Sequence, residues 1–149
     1  MFSRLFAAPD EAGQTLLRAL APSLQLPPEW FAERVAAGNS VLRVIHYPPV
    51  AADAAPGAAR SAAHQDINLL TLLVAARGGD LQLLDRDGSA DTGIANTTRY
   101  SIPFFVHPTN ATSLAALPSR VTPDRPPRNL PVTAGDYLEE RLREIGLRS

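Results

Sequence analysis

A chain of 149 residues with 45% hydrophobic and 19% charged residues can bury a core and is too apolar to remain disordered. Its formal net charge of -1 gives no pull toward nucleic acid or an anionic membrane surface. It has no cysteine, which excludes disulfides, thiolate metal ligands and a cysteine nucleophile, so any metal site must be built from His and carboxylate.

No apolar stretch approaches membrane-spanning length, and residues 1–6 are too short for a secretory signal, so a cytoplasmic location is expected. One domain is expected over residues 1–149, with a helical part over 1–40, a β-core over 41–108, a Pro-rich irregular segment over 109–131 and a last helix over 132–147. The 14 prolines and 9 glycines predict many turns and strand edges rather than a helical bundle.

Residues 9–22 are predicted as an amphipathic helix with Leu16, Leu17 and Leu20 on its apolar face. Asp10 and Glu11 sit near its positive end. Pro27 and Pro28 open a short second helix ending near Gly38, with Trp30 and Phe31 as core residues. Residues 41–47 alternate as one strand, with Val41, Arg43, Ile45 and Tyr47 on one face and Leu42, Val44 and His46 on the other. Residues 51–63 form a loop, and residues 69–74 a buried apolar strand. A turn at 77–80, a strand at 81–84 and an Asp-Gly hairpin at 85–88 follow. Residues 99–106 are the next strand. Thr133 begins the final helix in a weakened capping box with Asp136, and Leu138, Leu142 and Ile145 form its apolar stripe.

The chemistry centres on His64 and Asp66, two apart at the head of an apolar run. On a strand this spacing turns both side chains to one face. An imidazole and a carboxylate so placed are two members of a 2-His-1-carboxylate triad, which holds Fe(II) and leaves positions open. Alone, His-x-Asp is a weak motif, and its context decides its meaning.

Three blocks supply the context. They are Leu42-Arg43-Val44-Ile45-His46-Tyr47-Pro48-Pro49, then Ala63-His64-Gln65-Asp66-Ile67-Asn68-Leu69-Leu70-Thr71-Leu72-Leu73, then Arg99-Tyr100-Ser101-Ile102-Pro103-Phe104-Phe105-Val106-His107-Pro108. In content and order the sequence resembles the C-terminal half of the isopenicillin N synthase-like Fe(II)/2-oxoglutarate oxygenases. The resemblance implies an α+β fold with a reduced, incomplete jelly-roll (double-stranded β-helix) core and flanking N- and C-terminal helices. It implies Fe(II) on His64 and Asp66, and 2-oxoglutarate on Arg99, Ser101 and Tyr47. It also implies a dioxygenase reaction on a small-molecule substrate, in which dioxygen and decarboxylation of the 2-oxo acid oxidise a C–H bond. No nucleic acid or membrane partner is implied.

One departure stands out. The family's second iron-ligating His lies between the Asp-Gly hairpin and the Arg-x-Ser strand, and residues 89–98 contain no His. The resemblance therefore carries an internal deletion, and the N-terminal region is shorter than in the family. His46 alternates away from Tyr47. His107 lies eight residues beyond Arg99, roughly 26 Å along an extended strand at ~3.3 Å per residue, so it serves only if the strand folds back or a second chain supplies it. Asp85, Asp87 and Asp91 fit turn and solvent duty. The rival reading is a catalytically degenerate member that binds a small carboxylate or a protein. Strand edges left by the deletion would favour a homo-oligomer.

Overall fold

A computed structural model describes residues 2–55, 61, 64–74 and 98–147. In chain order the elements are α1 (Phe2–Leu20), 3-10 turns at Ala21–Leu24 and Pro28–Phe31, α2 (Ala32–Val35), β1 (Val41–Leu42), β2 (Ile45–Tyr47), β3 (Leu70–Val74), β4 (Arg99–Val106), a 3-10 turn at Pro118–Arg120 and α3 (Ala134–Glu144). β4 is the strand on which β1, β2 and β3 all pair. The architecture is α+β, with helices flanking an antiparallel sheet. The predicted turn at 77–80, strand at 81–84 and hairpin at 85–88, with Asp85, Asp87 and Asp91, lie outside the described residues. No described helix is long and apolar enough to cross a membrane.

The chain divides into two compact units. One comprises Met1–Val41, Ile67–Leu72 and Phe104–Ser149, and the other Leu42–Asp66 and Leu73–Pro103.

In the first unit, α1 starts at Phe2 and carries Pro9 inside it, where the sequence predicts a start at residue 9. A proline in a helix forfeits one backbone bond. The turn before it is held by Phe6, whose ring meets Phe104 edge-on with centroids 5.0 Å apart. The buried face also differs from the predicted one. Gly13, Leu17 and Ala21 are covered, at i, i+4 spacing, while Leu16 and Leu20 are each 46% exposed. Gly13 explains the rotation: a Cβ there would lie 2.9 Å from Val106 Cγ2, so glycine lets the helix backbone approach the sheet. Phe31 and Val35 complete this core, and Trp30 stays half-buried beneath the Arg34 guanidinium.

A second close approach fixes residues 38–40. A Cβ on Gly38 would collide with the His107 carbonyl oxygen. Beside it the His107 amide donates to Ser40 Oγ at 3.3 Å and the Thr109 amide to the Arg34 carbonyl at 2.7 Å. Residues 108–133 are mostly irregular, as their prolines predict. α3 begins as expected: Thr133 Oγ1 accepts from the Asp136 amide at 3.1 Å and donates to the Asp136 carboxylate at 2.7 Å. Leu138 and Leu142 are half-buried, but Ile145 is 65% exposed because it caps the helix instead of continuing its stripe.

In the second unit, the single strand predicted over 41–47 is interrupted at Arg43 and Val44. The β2–β4 register pairs Ile45 with Ser101, which sets Arg43 opposite Pro103. The Arg43 amide donates to the Pro103 carbonyl at 3.0 Å, but proline has no N–H to return the bond. β3 is also less buried than predicted. Leu70, Thr71 and Leu72 are half-buried, while Leu73 and Val74 are 37% and 64% exposed. Its apolar run records pairing with β4 rather than cover on both faces.

Candidate functional site

The antiparallel register places Tyr47 opposite Arg99 and Ile45 opposite Ser101. Paired residues share a face, so Tyr47 stands with Arg99 and Ser101, the last two being on one side as their alternation predicts. The Arg99 guanidinium lies over the Tyr47 ring, 4.6 Å from its centroid. Ser101 is buried, at 8% exposure, and Arg99 is half-buried. A planar two-pronged cation, a hydroxyl two residues away and a phenol beside it form a donor set suited to a carboxylate. These residues therefore fit one end of a dicarboxylic co-substrate.

His64 and Asp66 also come together, but not as predicted. Residues 64–66 are irregular and 67–69 form a bend, because the strand begins only at Leu70. Asn68 Nδ2 shapes that bend by donating to the Leu70 carbonyl at 2.7 Å and to Thr71 Oγ1 at 2.9 Å. The imidazole Nε2 nevertheless lies 3.5 Å from Asp66 Oδ1. Two ligands each bonded at about 2.1 Å can span that separation across one ion. However, no group of three His, Cys, Asp or Glu that could hold a metal occurs among the described residues. Among the described residues the donor set fits two positions of an iron triad.

The remaining histidines are elsewhere. His46 pairs with Tyr100, on the sheet face opposite Tyr47 and Arg99, as its alternation predicts. His107 follows β4 in the first unit, half-buried, with its backbone bonded to Ser40. The sequence reading missed Thr98, whose hydroxyl meets both His46 and the Tyr47 carbonyl. No local signal marks it, because both partners lie on a strand some fifty residues earlier, at |i−j| of 52 and 51.

No family model matches the chain. Over 77 residues it is 36% identical to the 2-oxoglutarate-dependent dioxygenase htyE of Aspergillus rugulosus, covering 52% of this chain and 23% of that protein. A crystal structure assigned to the 2OG-Fe(II) oxygenase family, from Caulobacter crescentus, superposes with a TM-score of 0.77 at 34% identity, over 96% of this chain and 58% of that one. A full-length protein of Neurospora crassa, solved in complex with alpha-KG, gives a TM-score of 0.82 at 22% identity, over 97% of this chain and 56% of that one. The matched length is thus about a quarter of the curated relative and less than three-fifths of either solved chain. The fold is that of the 2OG-Fe(II) oxygenases, whose core is a jelly roll. The Aspergillus relative is named a 2-oxoglutarate-dependent dioxygenase and the Caulobacter structure a 2OG-Fe(II) oxygenase family protein, the class that the three motif blocks resemble.

Proposed function

We propose that this chain forms part of a non-heme Fe(II)/2-oxoglutarate dioxygenase of the isopenicillin N synthase-like branch, oxidising a small molecule. One observation carries the reading: Arg99, Ser101 and Tyr47 share a face in register. Arg99 receives the distal carboxylate of 2-oxoglutarate in two parallel hydrogen bonds, Ser101 adds a hydroxyl donor and Tyr47 a phenolic one. His64 and Asp66 supply two iron ligands. Iron and 2-oxoglutarate supply the oxidative chemistry when bound, and the chain's residues hold and orient them.

An anaerobic titration with Fe(II) and 2-oxoglutarate tests this. A saturable visible charge-transfer band that disappears in His64→Ala is expected. A folded protein without any band would overturn the reading.

The two-donor metal set favours a second reading, a degenerate domain that binds a small carboxylate. It requires 2-oxoglutarate binding that survives His64→Ala and Asp66→Ala in the absence of iron and is lost in Arg99→Met.

A further inference from the structure

We infer that His46 and Thr98 are positioning residues that hold Arg99 for the distal carboxylate of the co-substrate, an inference that rests on the function proposed above. The starting point is where the β2–β4 ladder stops. Tyr47 pairs with Arg99 at the last position of the register, and the next two residues are Pro48 and Pro49. Position 47 is a hydrogen-bonded site of the ladder, so the next donor toward β4 would come from position 49, where proline has no N–H. Side chains clasp the strands there instead.

The clasp lies on the face away from Arg99. Thr98 Oγ1 is 3.5 Å from the Tyr47 carbonyl and 2.9 Å from His46 Nε2. A threonine hydroxyl has one proton. Donated to the Tyr47 carbonyl, it leaves the oxygen able to accept from the Nε2–H tautomer of His46. The His46 ring stacks on its cross-strand partner Tyr100, with centroids 4.7 Å apart and planes inclined by 23°. The Arg43 to Pro103 bond makes that pair the hydrogen-bonded type, so three residues along, His46 and Tyr100 form a pair of the other type, where side chains approach most closely. The run from His46 through Thr98 to Tyr47 thus ends on the residue whose ring supports the Arg99 guanidinium at 4.6 Å.

His46, Thr98 and Tyr100 are exposed, so the clasp contributes little core burial, and variants of it should fold. The test compares 2-oxoglutarate with 2-oxopentanoate, which carries a methyl group in place of the distal carboxylate. Both are titrated calorimetrically into the full chain with Fe(II) under anaerobic conditions. Thr98→Val removes the relay, and His46→Phe removes the donor but retains the stack on Tyr100. Each should weaken 2-oxoglutarate by about three- to tenfold, the worth of one hydrogen bond, and leave 2-oxopentanoate unchanged. Thr98→Ser should restore wild-type affinity. Equal losses for both ligands, or no loss while Arg99→Met abolishes the preference for 2-oxoglutarate, would overturn the inference and spare the proposed function. An Arg99→Met variant that retains wild-type preference, or a wild type with none, would overturn both.

Discussion

Arg99 occupies a place where charge alone does not suffice. Its planar group stacks over Tyr47 and presents a fork beside the buried Ser101 hydroxyl. Lysine would keep the charge but lose both the stack and the paired donors. Arg99→Lys is therefore expected to weaken 2-oxoglutarate by about tenfold or more, the scale of a charge-assisted bond, as measured by calorimetry. Ser101→Ala should cost less, about three- to tenfold, because it removes a single neutral donor. Alternation put Ser101 on the side of Arg99, while the roles of Arg99, Ser101 and Tyr47 were legible only through the resemblance carried by the motif blocks. Thr98 was not legible, because its partners come from a strand some fifty positions earlier, at |i−j| of 52 and 51, and no local pattern encodes that meeting.

The secondary elements owe their limits to single residues. Thr133 caps α3 through the Asp136 amide, and Thr133→Ala should cost about 1 kcal/mol in urea unfolding. Gly13 acts differently. It carries no special backbone angle, and its value lies in the missing Cβ, which would sit 2.9 Å from Val106 Cγ2 and 3.4 Å from Leu72 Cδ1. Gly13→Val should therefore destabilise by about 1–3 kcal/mol through overpacking, despite the better helix propensity of valine, and the same unfolding assay checks it. Pro103 shows the converse effect. It lies inside β4, and the strand opposite it breaks at Arg43. The break follows from an absent N–H on a partner distant in sequence, so alternation over residues 41–47 predicted one strand where there are two.

Among the described residues, the buried apolar side chains and the candidate chemistry occupy different units. Leu17, Phe31, Val35, Phe104 and Val106 all belong to the first unit, and Tyr47, His64, Asp66, Arg99 and Ser101 to the second. Phe104 is 1% exposed and meets Phe6 edge-on. Phe104→Ala should lower stability by about 3–5 kcal/mol, the usual cost of emptying a buried aromatic site, as measured by guanidinium unfolding. Neither unit is one continuous stretch of chain, and three of the four boundaries fall within β1, β3 and β4.

The sequence by itself determined the chemistry on offer: a His-x-Asp pair, an Arg-x-Ser strand, a tyrosine strand and no sulfur ligands. Residue type and period-two alternation are local properties, and they put Arg99 and Ser101 on one face, whereas Tyr47 joins them through the β2–β4 register. The tertiary structure decided the rest. It closed His64 on Asp66 through an irregular segment rather than a strand, turned α1 by the space Gly13 leaves, and broke a strand opposite Pro103. The last two depend on atoms brought together from distant parts of the chain, and the first on a bend held by side-chain bonds that period-two alternation does not encode.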